Sequence, residues 1–393
     1  MLRRTLLRTG GLTAGAALTG SLWQGAACVS ARGTGHYGPL RAPDANGVAL
    51  PEGFTSRIVA RTGRRVGGTL WHAAPDGGAC FPDGAGWIYV SNSEIPLLGG
   101  ASAIRFGAGG EILGAYRILS GTDLNCAGGR TPWNTWLSCE ETLRGRVFEC
   151  DPYGERAAMP RLAMGRFKHE AAACDPDRQV VYLTEDERDG CFYRFRPDVW
   201  GDLTAGRLEV LCGDGGDGKG GGGGGGKGGG GAITGPVTWE RVPNPAAPLK
   251  ATRHQVGAAL HFSGGEGCHY DGGVCFFTTK GDNRVWAYDA ENGRLEIAYD
   301  AASPLTGVDN ITGTPAGDLY VAEDGGNMEI NLITPDRLVS PFLRVDGHAG
   351  SEITGPAFSP DGRRLYFSSQ RGARGDSAGT DGVTYEVTGP FRG

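Results

Sequence analysis

Apolar and polar positions along the chain repeat in one pattern. Six times, a short apolar run ends in small polar residues and, in most copies, an acidic residue. Turn residues such as Pro, Asp and Gly precede most copies, and a run of this kind bounded by turns predicts a buried β-strand. The runs are Trp87-Ile88-Tyr89-Val90, Trp136-Leu137, Val181-Tyr182-Leu183, Cys275-Phe276-Phe277, Leu319-Tyr320-Val321 and Leu365-Tyr366-Phe367.

The spacing of these runs predicts the fold class. Successive copies lie 47, 46, 94, 44 and 46 residues apart, measured at Tyr89, Trp136, Tyr182, Phe276, Tyr320 and Tyr366. A period near 45 residues with several strands per unit is typical of β-propeller blades. We therefore predict an all-β protein, a six-bladed β-propeller with a flexible Gly-rich insertion.

The step of 94 residues leaves two interpretations open. Either a weaker seventh blade lies within it, or one connection carries a long insertion. It contains a tract of 19 residues, 213–231, in which 15 are glycine and none is apolar. Such a tract cannot bury a core. We therefore favour the insertion and predict a disordered loop at residues 213–231.

The chain ends complete the domain organisation. Residues 1–31 are predicted to be a twin-arginine signal peptide, since Arg3-Arg4 precedes a short apolar segment. Residues 32–49 form an amino-terminal extension, and residues 50–393 form one propeller domain. Residues near 50–70 are expected to close the ring beside a strand at 383–387, because this arrangement removes free sheet edges.

The leader predicts export by the twin-arginine machinery to the periplasm or the cell exterior. A disordered basic tail is the alternative reading of this segment. A lipoprotein signal that ends at Cys28 is a further alternative, although Gly25 stands where such a signal carries a Leu-like residue.

Composition narrows the classes of function. Glycine accounts for 71 of 393 residues, which argues against helical bundles and coiled coils. The net charge of −6 at pH 7, with acidic residues well spread, makes nucleic-acid binding unexpected. No run of 18 apolar residues follows residue 27, so we expect no membrane span. We expect a monomer.

The cysteine count bears on the site. Of ten cysteines, nine remain once a leader containing Cys28 is removed. Because an exported protein meets an oxidising compartment, we expect at least two disulfides among them. The alternative is that several stay reduced and buried as small apolar residues. Since nine is odd, one cysteine is left for metal binding or for a reactive thiol.

Acidic residues recur at equivalent places in the repeat. In a propeller the inner strands line a central channel, so residues at one end of these strands converge. Converging carboxylates would repel each other without cations. Solvated loop acids are the alternative interpretation. The strand-end acids are Glu94, Glu140, Glu141, Glu185, Asp186, Glu323 and Asp324, and a second set beside the strands contains Cys126, Glu170, Glu266, Asp309, Asn310 and Glu352.

The ligand types in these two sets predict a mixed metal site. Carboxylate and amide oxygens suit calcium, whereas a thiolate selects a transition metal. No His-Glu-x-x-His, Gly-x-Ser-x-Gly or Cys-x-x-Cys motif occurs in the chain. Zinc enzymes and serine hydrolases are therefore disfavoured.

The stretch 125–141, NCAGGRTPWNTWLSCEE, resembles the hallmark of the PhoX-type alkaline phosphatase family. The resemblance covers most of the chain from about residue 50, and the shorter length is similar to that of a compact branch. Further similar motifs follow in order: Lys168-His169-Glu170, Thr184-Glu185-Asp186, 267–289, Asp309-Asn310-Ile311-Thr312, Gly317-Asp318-Leu319, Glu323-Asp324-Gly325 and 351–356.

The resemblance implies an exported metal-dependent phosphomonoesterase with an iron and calcium cluster in a six-bladed propeller. Its substrate would be a small phosphoester. Cys126 would be the iron ligand and would stay out of disulfides. The remaining expected metal ligands are Glu170, Glu266, Asp309, Glu323 and Glu352. The expected catalytic residues are Cys126, Glu266 and Asn310, and the expected contacts to substrate phosphate are Asn92 and Asn310.

One position departs from the family pattern. Long members carry a phosphate-binding arginine two residues before the glutamate that matches Glu266, and this chain has Gly264 there. We therefore expect weaker phosphate binding, with Lys168, Arg253 and Arg284 as candidate replacements. The alternative functions are a calcium-binding propeller with another hydrolase activity, similar to a lactonase, and a non-catalytic binding scaffold.

Overall fold

The computed structural model describes residues 31–32, 35–213, 234–300 and 305–393. Almost all of the regular structure in these ranges is β-strand. Two single-turn 3₁₀ helices occur, at Leu162–Met164 and Thr252–His254. Among the described residues, no helix is both long and apolar enough to cross a membrane. The predicted signal peptide, apart from Ala31, and the Gly-rich tract after Gly213 lie outside the described residues.

Three sheets have four antiparallel strands each. The first contains β6 (Pro75–Asp83), β7 (Gly86–Ser93), β8 (Gly99–Phe106) and β9 (Ile112–Thr122). The second contains β10 (Asn125–Arg130), β11 (Trp136–Glu140), β12 (Val147–Cys150) and β13 (Met159–Pro160). The third contains β28 (Ile353–Phe358), β29 (Arg364–Ser369), β30 (Val383–Thr388) and β3 (Thr55–Arg61).

A fourth sheet has six strands. Its central strands are β24 (Val308–Gly313), β25 (Leu319–Glu323), β26 (Glu329–Ile333) and β27 (Leu338–Val345). The short strands β1 (Ala31–Arg32) and β2 (Val48–Ala49) both pair with β27. A separate hairpin joins β4 (Arg65–Val66) to β5 (Thr69–Leu70).

The fifth sheet has ten strands. It begins with β14 (His169–Asp175), β15 (Val180–Glu185), β16 (Gly190–Val199) and β17 (Asp202–Gly213). It ends with β20 (Gly265–Asp271), β21 (Val274–Thr279), β22 (Arg284–Asp289) and β23 (Arg294–Tyr299). The remaining strands are β18 (Gly235–Arg241), which pairs with both β17 and β23, and β19 (His261–Phe262), which pairs with β16.

This pairing corrects the prediction of six separate blades. The arrangement is all-β and propeller-like, but only four blade-sized sheets stand apart in the described chain. The other strands form the ten-stranded sheet, because β18 hydrogen-bonds to a neighbour on each side. β18 lies in the 94-residue step, where strand pairing was not readable from the repeat.

The sheets nevertheless surround one channel. The strands β6, β10, β14, β20, β24 and β28 each contact the next, and β28 contacts β6, so the ring is closed. As predicted, the chain ends seal it: β3 pairs with β30, with Thr55 opposite Thr388 and Arg61 opposite Val383.

The aromatic markers of the repeat are all buried, as the apolar pattern predicted. Tyr89, Tyr182, Tyr320 and Tyr366 are fully shielded from solvent, and Trp136 and Phe276 nearly so. They pack between neighbouring sheets, where Tyr89 stacks on Tyr366 at 4.8 Å between ring centroids and so joins the first sheet to the last. Burying side chains of this size contributes about 1.5–3 kcal/mol each.

The nine described cysteines are all free. The expectation of at least two disulfides is therefore not met in this part of the chain. Cys139, Cys150 and Cys212 are completely buried, which matches the alternative that they act as small apolar residues. The sulfur atoms of Cys268 and Cys275 lie 3.4 Å apart without a bond between them.

Candidate metal centre

Every inner strand of the ring has a β-bulge at the same place. In each, three steps along the inner strand match two steps along its partner, so one residue is extra. A bulge re-aims side chains and often occurs beside active sites. The residues between the paired positions are Asp76-Gly77, Cys126-Ala127, Glu170-Ala171, Glu266-Gly267, Asp309-Asn310 and Gly355-Pro356.

Five of the six bulges begin with an acid or a cysteine, and these side chains converge. Their ligand atoms belong to four groups, and within each group the atoms lie within 4.8 Å of one another. Consecutive groups share Cys126, Glu170 and Asp309, so they form one continuous set. We call this set the acidic cluster: Asp76, Glu94, Cys126, Glu141, Glu170, Glu266, Asp309, Asp324 and Glu352.

The acidic cluster cannot hold all its charges unaided. Burial, with the neighbouring acids adding to it, raises the pKa of Asp309 to about 7 and that of Glu141 to about 8. Burial first, and then the charges of Glu266 and Glu141, also raise the pKa of Glu170. Protons therefore remain on several carboxyl groups near neutral pH, where bound cations could take their place.

Two observations test whether the cluster suits metal ions. Glu170 is fully buried and its Oε2 has no hydrogen-bond partner, which costs free energy unless another group binds there. The Cys126 thiol donates to Glu170 Oε1 at 3.1 Å, and burial together with Asp76 and Glu170 raises its pKa. A cation replaces such a thiol proton and stabilises the thiolate. The residues present therefore fit a metal cluster.

Three cationic side chains already contact the acidic cluster. Lys280 Nζ lies 2.9 Å from Glu266 Oε1 and 3.3 Å from Asp324 Oδ2. Arg371 Nη2 lies 2.7 Å from Glu352 Oε1, and Lys168 Nζ lies 3.1 Å from Glu141 Oε1. Burial acts to lower the pKa of Lys280, but the charges of Glu266 and Asp309 outweigh it and the pKa is raised, which keeps the ammonium charged.

Most of the predicted ligands meet in this cluster. Cys126, Glu170, Glu266, Asp309 and Glu352 are brought together, but Glu323 is not. The Glu323 carboxylate instead accepts from Thr306 N at 2.8 Å and Asn331 Nδ2 at 3.2 Å, while the next residue, Asp324, joins the cluster.

Glu323 shows that the sequence alone did not indicate which of two adjacent acids faces the cluster. Successive side chains at a strand end point to opposite faces. Glu140 and Glu185 likewise turn away, to Arg146 and Arg253, and Glu141 lies on the cluster side while Asp186 approaches Lys168.

Asn92 is placed as a positioning residue. Its Nδ2 donates to the backbone oxygens of Cys126 and Ala127, at 3.0 and 2.9 Å. Its Oδ1 accepts from Trp136 Nε1 and Ser138 Oγ, at 2.9 and 2.8 Å. All of its hydrogen-bonding capacity is thus used within the protein. The family resemblance suggested that Asn92 contacts substrate phosphate, but this arrangement leaves none of its polar atoms free to do so.

Asn310 keeps some capacity. Its Nδ2 donates to Asp309 Oδ1 at 3.0 Å and its Oδ1 accepts from Gly355 N at 2.6 Å. One amide hydrogen therefore remains for a ligand.

Sequence reasoning missed Asp76, Lys280 and Arg371. Asp76 stands at the bulge of β6, but the inner strands were not aligned with one another. Arg371 follows Gln370, beyond the aligned repeat end. Lys280 follows Thr278-Thr279 at a repeat end, where the equivalent position of most other copies carries an acid. That substitution of a cation for an acid was the available signal. The predicted candidates Arg253 and Arg284 pair elsewhere, with Glu185 and with Asp300.

Gly264, two residues before Glu266 of the acidic cluster, has a left-handed conformation, with φ of +68°. A Cβ there would lie 3.2 Å from Asp186 Oδ1. An arginine at this position would therefore begin beside an acid that already approaches Lys168.

Below the acidic cluster the channel narrows to a waist of about 40 Å³, lined by residues that include Gly77, Ala127, Ala171 and Gly267. A Cβ on Gly77 would lie 2.5 Å from Ala127 Cα, and one on Gly267 would lie 2.6 Å from Ile311 N. Small residues are thus required where the inner strands approach each other. A larger cavity of about 660 Å³, with Arg130, Asp177 and Tyr270 in its lining, opens beyond the waist.

Solved structures resemble the fold. One described as Pseudomonas fluorescens PhoX in complex with vanadate, a transition state analogue, matches with a TM-score of 0.69 at 17% identity, over 89% of this chain and 97% of that one. A Bacteroides thetaiotaomicron protein of unknown function matches with a TM-score of 0.50 at 11% identity, over 85% and 76%. At these identities the likeness concerns the fold.

Sequence comparison gives the family. No curated relative matches the chain. The family model for alkaline phosphatase PhoX matches residues 92–147 and 143–300, which together exceed half of the chain and include Cys126, Glu141, Glu170 and Glu266 of the acidic cluster. The chain therefore belongs to the PhoX alkaline phosphatase family.

Proposed function

We propose that this chain is an exported, metal-dependent phosphomonoesterase, a PhoX-like alkaline phosphatase with an iron and calcium cluster. The observation that carries the proposal is the acidic cluster, in which eight carboxyl groups and one thiol converge, five of them from the bulges of a closed ring. The proposal is supported by membership of the PhoX family. Its substrate would be a small phosphoester.

The metal ions would be held by Cys126, Glu170, Glu266, Asp309 and Glu352, with Asp76 added. When bound, they would offset the charge of a phosphate dianion and activate water for hydrolysis. Cys126 belongs to two of the four ligand groups, so its thiolate would serve the centre of the cluster. Glu266 would bind a metal ion and also pairs with Lys280, so it would hold this cationic side chain beside the metal.

The chain supplies its own phosphate contacts beside these ligands. Lys280 and Arg371 are paired to cluster carboxylates, and metal ions on those carboxylates would leave both cations available to a phosphate oxygen. The remaining amide hydrogen of Asn310 would donate to the same phosphate. Charge-assisted hydrogen bonds of this kind are stronger than neutral ones, so these groups would compensate in part for Gly264.

The organisation of the whole protein follows the same proposal. The ten-stranded sheet would count as two blades, β14–β17 and β20–β23, which β18 joins, so that the ring has six. The leader would direct twin-arginine export to the periplasm or beyond. Replacing Arg3 and Arg4 together by lysine should leave the protein in the cytoplasm, whereas unchanged export would contradict this route.

Hydrolysis of nitrophenyl phosphate, with calcium and iron supplied and metal content measured, tests the activity. Cys126→Ser should lower kcat/KM by more than about a hundredfold, beyond the effect usual for outer partners of a metal. Cys174→Ser is the matched control, because Cys174 is also partly exposed but lies beyond the waist. Equal activity in the two variants would overturn the assignment of Cys126.

Gly264 favours a second candidate, a calcium-dependent hydrolase that acts on an uncharged ester, similar to a lactonase. Without an arginine there, the acidic cluster has fewer cationic side chains beside it to bind a dianion. Hydrolysis of a lactone by metal-loaded protein that leaves phosphomonoesters intact would favour this candidate over the first.

A further inference from the structure

The four most exposed large apolar side chains of the described residues lie in three loops on one face. They are Leu97, Leu98, Leu143 and Leu249, with 78%, 72%, 74% and 99% of their surface exposed. The next most exposed, Val199, reaches 66%. We call these four residues the leucine rim. Such a group of exposed apolar residues often marks a binding surface.

The leucine rim lies beside the acidic cluster. Leu97 and Leu98 follow the cluster residue Glu94 by three and four positions, and Leu143 follows Glu141 by two. Since an extended chain spans at most about 3.6 Å per residue, the backbone of Leu143 lies within about 7 Å of that of Glu141. Apolar surface and the candidate phosphate site therefore adjoin.

Hydrogen bonds join the three loops into one surface. Glu141 N donates to Leu124 O at 2.8 Å, and Leu124 N donates to Ile95 O at 3.3 Å. Next to Leu143, the Arg144 guanidinium donates to the backbone oxygens of Ala247 and Ala246, at 2.7 and 3.2 Å. Leu249 follows two residues after Ala247, so the fourth leucine continues the same surface.

Leu97 is held in an unfavourable conformation. Its φ is +60°, in the left-handed region that leucine rarely adopts. Its backbone N donates to Asp123 Oδ1 at 2.8 Å, which fixes the loop in this form. Strain of this kind persists where the surroundings enforce it, and it concentrates at ligand sites.

We propose that the leucine rim binds the apolar alcohol part of the substrate, so that the preferred substrates are phosphate monoesters of apolar alcohols. This inference rests on the proposed phosphomonoesterase function. The phosphate would lie at the acidic cluster and the hydrocarbon along the rim. In hydrolysis, water oxygen bonds to phosphorus, the phosphorus–oxygen bond to the alcohol breaks, and the alcohol leaves with a proton from that water.

The test compares kcat/KM for hexyl phosphate and for glycerol phosphate, with metal-loaded protein. We expect the native protein to prefer hexyl phosphate by roughly tenfold or more, since each buried methylene favours binding. The double variant Leu97→Asn, Leu143→Ser should lower this ratio to below about threefold, through a higher KM for hexyl phosphate. Asn tolerates the left-handed conformation, so the loop is not strained further.

Leu113→Ser is the matched control. Leu113 is 61% exposed, but it lies at the far end of β9 from Thr122, which precedes the bulge of β10. The control should keep the native ratio, and metal content reports folding in every variant. Hydrolysis of both esters at equal efficiency, or a preference that survives in the double variant, overturns the rim. Failure of metal-loaded protein to hydrolyse either ester overturns the proposed function instead.

Discussion

Asn92 shows how one side chain fixes the position of another. Its amide is fully used by two backbone oxygens at Cys126 and Ala127 and by two donors, Trp136 and Ser138. The family resemblance suggested Asn92 as a contact to substrate phosphate, but its hydrogen bonds are made with partners 34 to 46 residues away. Such partners become visible only when the sheets are assembled.

Replacing Asn92 by Ala should destabilise the fold by about 3 kcal/mol, because buried donors and acceptors would be left without partners. Metal content should fall as well, since the Cys126 backbone would no longer be held. Urea unfolding and elemental analysis measure the two effects. Asn292→Ala, at an exposed turn, is the control and should change little. A raised KM with unchanged stability and metal content would instead indicate the phosphate contact that the sequence suggested.

Replacing Gly264 by Arg tests the departure from the family pattern. The left-handed backbone should cost about 1–2 kcal/mol of stability. The added guanidinium should lower the KM for a phosphomonoester and leave metal content unchanged. Gly264→Ala carries the same strain without the charge and should show only the loss of stability. A folded, metal-loaded Arg variant with an unchanged KM would mean that Lys280 and Arg371 already suffice.

The bulges explain the limits of prediction at the level of single strands. The aromatic runs of the second strands were found from their spacing, and Cys126, Glu170, Glu266, Asp309 and Glu352 were found as residues that converge. Asp76 was missed because the inner strands were not aligned with one another. Glu323 lies outside the acidic cluster while Asp324 lies in it, because the choice between adjacent side chains depends on strand register. The β-bulges that aim the side chains of the acidic cluster are set by pairing between strands and have no local sequence signal.

The close approach of inner strands at the waist leads to a prediction for β6. Gly77→Ala would place a Cβ 2.5 Å from Ala127 Cα and 2.9 Å from Cys126 O, so the two strands must separate. We expect a loss of about 1–3 kcal/mol in stability and a lower metal content, because Asp76 and Cys126 would move apart. Thermal unfolding and elemental analysis report both.

Gly114→Ala on β9 is the matched control. A Cβ at Gly114 would meet nothing within 4 Å, so its stability should be unchanged or slightly higher. Equal behaviour of the two glycine variants would show that the waist tolerates extra volume.

For the molecule as a whole, the repeat predicted the all-β class, the surrounding of one channel and the closure of the ring by β3 and β30. It did not predict the ten-stranded sheet, since β18 bridges two neighbours from within the irregular 94-residue step. The nine described cysteines form no disulfide, and several of them are buried, which is the alternative that the sequence left open.

Removing the metal ions of the proposed centre should make stability depend on pH. The folded protein raises the pKa of Asp309 from 3.8 to about 7 and that of Glu141 from 4.5 to about 8. The folded state then binds more protons than the unfolded state between these values, so stability falls as pH rises from about 4 to about 8 and levels off above. Chelated protein should therefore melt at a lower temperature at pH 8 than at pH 5.

Metal-loaded protein is the comparison for that measurement. Bound cations favour the ionised carboxylates and add to the stability of the folded state, so its melting temperature should be higher at both pH values and the decline smaller. Identical melting curves before and after verified metal removal would contradict the metal centre.

The waist also bears on the route by which substrate would enter and product would leave. A space of about 40 Å³ holds little more than one water molecule, so in the proposed phosphatase the ester and the phosphate would both use the opening at the acidic cluster. Inorganic phosphate leaving by that opening would compete with the next ester for the same cations, so turnover of the proposed enzyme should slow as phosphate accumulates. Such an enzyme would be inhibited by its own product and would work fastest where phosphate is scarce.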